Sequence, residues 1–475
     1  MDLGAAFRRL VGSRGAVATI DVAATPPLTP LAPVDTSDPS DVTNVLTVAA
    51  RIGEILVVCG GTNSDAAEQV SAIAQSFGLW NTHVDMTHNR IRLHTNTAAD
   101  RLSPITVVRV IHGGVFDFYT LRQVDKLIRD IHTGAASLRE AQRRLDAITS
   151  APPWLSTGQV AIAWAVMGAA VALLIGGDFW VAGISMIAGI SIVGIYAYFG
   201  RIGLPIFFQN VLGGILAAML AAGAYHLGNE FDLILRPSMV IASSIIAMLA
   251  GLTLVQAIQN GVTFAPVTGN ARFFDTIIIT GGIVAGVGIG IELSAYVHLP
   301  LPPMETVAVP NFSSTFVRVL GGACASAAFA RASYADWPSV FVSGLSSLLS
   351  SALFYYALIP LGMSDITAVA TTAVFIGLAG GLLARHYQIP PVIVSVAGVT
   401  PLLPGLAIYR GMYGLLHEQV LVGFGGLTLA LATATALSAG VVFGEWIARR
   451  LRAPWSMQQM RRWTAIGRFK RGRFY

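Results

Sequence analysis

Long, nearly uncharged apolar runs fill the chain from about Trp154 onward, and nothing comparable precedes that residue. Residues 160–175, 179–199 and 276–297 are almost wholly apolar and rich in Gly and Ala. A bilayer core takes roughly 20 such residues per helix, and backbone groups in lipid must be satisfied within the helix. Residues 51–148, by contrast, carry Arg, Asp, Glu and His throughout. The expected fold class is a polytopic α-helical membrane protein with a small N-terminal α+β domain.

Composition excludes several kinds of chemistry. Cys59 and Cys324 are the only cysteines, one in each region, so neither a disulfide framework nor a cysteine-based metal site is expected. Lys126 and Lys470 are the only lysines, and neither is followed by Ser or Thr. A phosphate-binding P-loop is therefore ruled out, and an ion or solute gradient would have to drive any transport. No cofactor is expected. The formal charge of +5 is not a nucleic-acid signal, because from Arg449 to Arg473 the tail holds basic residues and no acid. Directly after a membrane helix, such a cluster reads as a cytoplasmic anchor beside anionic lipid. Arg8-Arg9 resembles a twin-arginine export signal, but Arg14 and Asp21 interrupt the apolar stretch that should follow.

The organisation expected is a disordered Pro/Asp/Ser-rich leader over 1–42 and a soluble domain over 43–150. A first membrane half covers 151–299, a second 300–448, and the basic tail 449–475. Within the soluble domain, apolar residues recur at helical spacing over 45–58 and 65–77. Polar and apolar residues alternate over 83–86 and 90–94, a hairpin turning at Thr87-His88-Asn89, with a third strand over 105–111. Helical spacing returns over 119–131 and 138–148. The membrane part divides into about ten spans: 155–176, 179–200, 204–227, 235–259, 274–299, 313–330, 337–361, 366–386, 390–416 and 419–448. Arg201, Arg272, Arg331 and Arg385 fall in one set of turns; Asp178, Glu230, Asp232, Glu305, Asp365 and Glu418 fall in the other. That bias places both termini in the cytoplasm, with Arg236 the one basic residue at an outer boundary.

The segment 395–411 holds Thr400, Pro401, Pro404, Gly405 and Arg410 near the middle of a span. Each proline removes a backbone hydrogen bond, and in lipid such a break survives where protein or a wet cavity satisfies the freed carbonyls. Broken helices near the midplane are where transporters bind small zwitterions. Residues 250–256 also align loosely with 404–410, a faint sign of related halves. Asn210 lies about 10 Å into its span at 1.5 Å per residue, a plausible amide partner for a substrate. Gln256 sits at the inner end of the fourth span, and the polar stretch after it, with Asn270, Arg272 and Asp275, reads as a loop that caps an inward cavity or as a hydrated turn. Glu292 and Arg318 fall toward the outer ends of adjacent spans and read as an interfacial pair, with proton coupling through Glu292 the sharper alternative. His83, His88 and His94 read as a solvated strand face.

Residues 399–411 closely resemble the C-terminal signature of the bacterial threonine/serine exporter family. Residues 251–260, Gly269 and Arg272 resemble its N-terminal-half motif, and 44–148 are similar to its cytoplasmic part. The resemblance implies export of small hydroxy-amino acids, threonine and serine, with coupling to protons or another ion and a multi-pass location in the bacterial plasma membrane; no nucleic-acid partner is expected. Two departures stand out: Ala250 occupies a position usually held by proline, and Asn260 one where an acid is common. The sequence leaves homo-oligomerisation open. The alternative is a membrane-anchored enzyme or sensor whose N-terminal domain carries the activity; ten spans exceed what anchoring requires.

Overall fold

The computed structural model describes residues 33–36, 38–96, 104–111, 116–233, 235–246, 248, 250–302, 315–387, 389–416 and 419–452. Glu305, Glu418 and most of the basic tail lie outside them. The first helix, α1 (Pro39–Val58), begins within the stretch read as leader. Asp38 caps it by accepting from Ser40 N, and Pro39 at the first position has no N–H to leave orphaned. Thr62 caps α2 (Asn63–Ser76) by accepting from Asp65 N. A Cβ on Gly53 would stand 2.6 Å from Val70 Cγ2, so α1 and α2 approach closely where a side chain would not fit.

The strands β1 (His83–Met86), β2 (Arg90–Thr95) and β3 (Ile105–Val110) form an antiparallel sheet in the order β1-β2-β3. Ile91 and Leu93 are fully buried while Arg90 and Arg92 are exposed, so the period-2 pattern turns one face toward α1. His83 pairs with His94 across the ladder, and their rings stack at 4.8 Å. Helices α3 (Phe118–His132) and α4 (Leu138–Ser150) complete this unit, capped by Asp117 and Ser137.

Twelve further helices follow among the described residues. The first six are α5 (Thr157–Leu174), α6 (Phe179–Arg201), α7 (Ile206–Glu230), α8 (Pro237–Ile246), α9 (Ala250–Val262) and α10 (Pro266–Tyr296). The second six are α11 (Thr315–Ala332), α12 (Trp337–Ala352), α13 (Asp365–Tyr387), α14 (Pro391–Val399), α15 (Gly405–Leu416) and α16 (Val420–Arg452). A π-helical turn, Leu353–Leu358, extends α12. Seven helical segments are long and apolar enough to cross a membrane, and their outward faces carry large apolar side chains such as Ile187, Phe341 and Phe424. The molecule is a polytopic helical membrane protein.

The two sets of six repeat one plan. In each, three long helices are followed by two short ones and a long last helix. The third packs on the sixth and the fifth on the sixth in both sets, while α5 packs on α11 across the boundary. Pro237, Gly251 and Pro266 stand to Pro391, Gly405 and Val420 at one and the same separation. So do Gly286 and Gly290 to Gly440 and Gly444. Each of these G-x-x-x-G pairs lies against backbone: a Cβ on Gly290 would come 2.9 Å from Ile215 O, and one on Gly440 2.6 Å from Ala370 O. Small residues at such spacing let helices approach closely in lipid.

Three expectations need correction. The stretch 235–259, read as one span, is interrupted between α8 and α9, where Met248 sits in a turn. No proline marks this break, so apolar continuity concealed it. The polar stretch after Pro266, read as a loop, is the first turns of α10; Pro266 occupies the helix start, where its missing N–H costs nothing. Glu292 and Arg318 form no ion pair. Glu292 is exposed, and Arg318 Nε is buried without a hydrogen-bond partner, on the Tyr355 side of its helix.

The N-terminal unit sits on one end of the helical bundle. Phe118 N donates to Ser333 O at 2.9 Å, Trp154 Nε1 donates to Tyr334 O at 2.8 Å, and Arg122 pairs with Asp336. Phe116, Phe118, Trp164 and Phe329 make an edge-to-face aromatic cluster across the seam. Arg331 lies over the Trp154 and Trp337 rings at 4.8 and 4.5 Å, a cation held on aromatic faces at that end of the bundle.

Candidate functional site

The two interrupted helices meet at their breaks. Thr400–Leu402 forms a short 3-10 turn after α14, Leu403 is extended, and Pro404 precedes α15. A Cβ on Gly251, at the start of α9, would lie 3.0 Å from Gly405 N and 3.1 Å from Leu403 Cβ. The N-termini of α9 and α15 therefore converge deep in the bundle, and their free N–H groups and dipoles give that point a positive character.

On the side of the N-terminal unit this crossing opens into a narrow cleft. Its walls are α9, α14 and α16, and its mouth is formed by the turn between α1 and α2, with Gly60, Thr62 and Asp65. Leu252, Val255, Val396, Val399 and Val441 make the deep part apolar. Gln256, Gln259, Ser395, Ser438 and Glu445 supply polar groups. Arg272 Nη1 donates to Gln256 Oε1 at 2.5 Å, which fixes the amide so that Nε2 faces the Gly60 turn. Gln256 is 4% exposed, and its Nε2 has no hydrogen-bond partner. Ser395 Oγ donates to Glu445 Oε1 at 2.8 Å. Ser438 Oγ donates to Val255 O and Ala434 O at 2.8 and 2.7 Å, leaving its lone pairs as acceptors.

Contacts between the two parts of the chain hold the turn that borders the mouth. Arg449 Nη2 donates to Asp65 Oδ1 at 3.0 Å. Asn63 N donates to Asn260 Oδ1 at 3.2 Å, Asn63 Nδ2 donates to Thr268 Oγ1 at 2.7 Å, and Asn260 Nδ2 donates to Gln256 O at 2.8 Å. Cys59 borders the same turn. Burial pushes its thiol up to about 12, and Sγ donates to Asp117 O at 3.3 Å, so it is an inert packing group. A narrow cleft with a carboxylate on one wall and an amide donor on another can hold a small molecule bearing both charges.

Residues 47–294 match the family model ThrE, described for threonine/serine exporters, and residues 318–454 match its companion model ThrE_2. The chain is 49% identical over 457 residues to the threonine/serine exporter of Corynebacterium glutamicum, covering 96% of this chain and 93% of the relative. The chain belongs to the threonine/serine exporter family. It is also 30% identical over 420 residues to a "Probable threonine/serine exporter" of Mycobacterium tuberculosis (strain ATCC 25618 / H37Rv), covering 86% and 77% of the two chains. No solved structure matches it.

Within this exporter fold the residues singled out from the sequence disperse. Gln256 lines the cleft, with Arg272 directly behind it. Pro404, Gly405 and Thr400 are buried at the crossing, Thr400 Oγ1 donating to Val396 O at 3.1 Å, and Pro401 lies beside Gly322. Arg410 is half-buried on α15. Asn210 lies elsewhere, between α6 and α7, where Tyr196 Oη donates to its Oδ1 at 2.6 Å. Asn270 is exposed, and Asp275 faces His88 at 3.4 Å across the seam. Asp65, Ser438 and Glu445 are not among the candidates from the sequence; Ser395 enters there only as the start of the segment 395–411 and Arg449 only as the start of the basic tail. The available signal was Glu445 itself, an acid one turn before Arg449 inside the last apolar run.

Proposed function

We propose that this protein is a secondary transporter that exports threonine, serine and similar small amino acids from the cytoplasm, driven by the proton-motive force as an antiporter. The observation that carries the reading is the polar cleft at the crossing of two interrupted helices, in a chain of the exporter family. Paired breaks in corresponding helices of two repeats are the arrangement in which transporters place small solutes. The ten spans of this reading are α5, α6, α7, α8 with α9, α10, α11, α12 with its π turn, α13, α14 with α15, and α16. Five spans per repeat make the second repeat inverted relative to the first. In this reading both termini and the N-terminal unit are cytoplasmic, an orientation supported by the charge bias of the turns, and the membrane is the bacterial plasma membrane.

In this reading the cleft is the cytoplasmic entry. The substrate carboxylate moves toward the converging N-termini of α9 and α15, with Arg410 beyond them, and Ser438 Oγ accepts from the substrate hydroxyl. Asn210, Thr400, Asp275 and Glu292 remain candidates for later steps along the path. The chain acts by transport rather than catalysis. Cells loaded with a threonine-containing dipeptide test this. Faster threonine efflux in cells making the protein, abolished by a protonophore, is the expected result; efflux equal to that of cells lacking it overturns the assignment.

A further inference from the structure

The cleft carries an uneven count of charges. Asp65 on α2 and Glu445 on α16 both line it. Arg449, one turn after Glu445, is the guanidinium that faces them, bonded to Asp65 and within electrostatic reach of Glu445. Glu68, exposed on α2, adds a more distant acid toward Arg449. From α14 comes only the hydroxyl of Ser395 and from α9 only the amides of Gln256 and Gln259, while Arg272 of α10, bonded to Gln256 Oε1, has its charge answered by Asp275 one turn along the same helix. With both carboxylates ionised, the half-buried cluster keeps one negative charge without a partner among the described residues. Such a charge is costly away from water unless a cation neutralises it.

Two cations of the right size meet there: a proton and a primary ammonium group. The second, independent observation is the other wall. Gln256, a lining residue, is almost wholly buried, and its Nε2 faces the Gly60 turn at the mouth of the cleft with nothing to bond. An unpaired buried donor costs about 1–3 kcal/mol, an expense removed by an acceptor such as a carboxylate.

We propose that the cleft is a zwitterion subsite in which Glu445 takes the substrate's ammonium group and Gln256 Nε2 its carboxylate, and that Glu445 holds a proton instead whenever the substrate is absent. The inference rests on the export reading and deepens it. Entry of the amino acid displaces the Glu445 proton to cytoplasmic water; once the substrate has left through the crossing to the far side, a proton entering by that same route restores the O–H on the ionised carboxylate. One proton enters for each amino acid exported, and no bond other than that O–H is made or broken. Asp65 keeps Arg449 occupied, so that the guanidinium does not close permanently on Glu445.

The full-length protein in liposomes tests this by threonine binding and counterflow between about pH 5.5 and 8.5. For the unaltered protein, affinity falls about tenfold per pH unit once the carboxylate is protonated. Glu445→Gln is expected to weaken binding at least about tenfold and to flatten the pH profile. Glu445→Asp should retain transport with a displaced profile, and Gln256→Leu should weaken binding while leaving the profile in place. Wild-type pH dependence in Glu445→Gln overturns the proposal, as does an undisplaced profile in Glu445→Asp should the glutamine variant fail to fold. Absence of threonine and serine counterflow in the unaltered protein would instead overturn the export reading itself.

Discussion

His132 shows how a single proton can be written into the packing of the N-terminal unit. Its Nδ1 lies 2.8 Å from Ser76 Oγ, and that hydroxyl donates to Ala72 O at 2.9 Å. The ring therefore donates through Nδ1–H, which leaves Nε2 a buried acceptor with no partner. Burial lowers the ring's pKa from 6.5 to about 4. The depressed value fixes the sign: above 6.5 both folded and unfolded forms are neutral and stability is full, and between 6.5 and about 4 only the unfolded chain takes the proton. Acidification from pH 7.5 to 4 should cost on the order of 3 kcal/mol at this site. Hydrogen exchange of α2 and α3 as a function of pH measures it, and His132→Gln should remove most of the acid sensitivity. Asn260 is a second case at this scale. It accepts from Asn63 N and donates to Gln256 O, two bonds of which an acid at the same position could make only the first. What the amide adds over an acid is therefore the bond back to Gln256 O within α9, while the docking bond from Asn63 N is one that a carboxylate would keep.

At the scale of elements, the last helix of each repeat is held by glycine. A Cβ on Gly440 would stand 2.6 Å from both Ala370 O and Ala373 Cβ, whereas around Gly425, on the same helix, nothing lies within 4 Å. Gly440→Val should therefore push α16 from α13, displacing Glu445 and costing about 1–3 kcal/mol or more, while Gly425→Val should be close to neutral. Thermal unfolding of the two variants in detergent, with threonine binding alongside, separates a general effect of valine from loss of this contact. The same elements show what sequence could convey. The strands and helices of the N-terminal unit followed from periods of 2 and 3.6, because one face of each is buried and the other exposed. The broken α14–α15 unit was legible because Pro401 and Pro404 advertise it. Its counterpart between α8 and α9 was not, since Ala250 replaces the proline and nothing apolar is interrupted. Glu445 and Arg449 escaped notice because at the end of an apolar run they blend into the basic tail. Their meaning depends on Asp65, which lies far away in sequence and is brought to them only by the docked turn.

For the whole molecule, the repeat predicts a second cleft that this conformation hides. The cleft is bounded by α9, α14 and α16; their counterparts are α15, α8 and α10, at the other end of the crossing. There Ile241, Ile245, Val284 and Val287 pack with Tyr413 into an apolar cluster instead of opening. Residues Gln256 and Arg410, and Ser438 and Val284, occupy corresponding positions at the repeat's own separation. If the two repeats exchange conformations, the far-side cavity opens along α8, α10 and α15 with Arg410 in its wall, and the cleft beside Asp65 closes. Val284 is 1% exposed and Val255 4% exposed, so each serves as a sensor of one side. In a Cys59→Ser, Cys324→Ser background, Val284→Cys should react with a membrane-impermeant thiol reagent added outside cells only while threonine is being exported, and Val255→Cys only with a reagent admitted to the cytoplasm. A rate for Val284→Cys unchanged by substrate would remove the exchange of repeats as the route across.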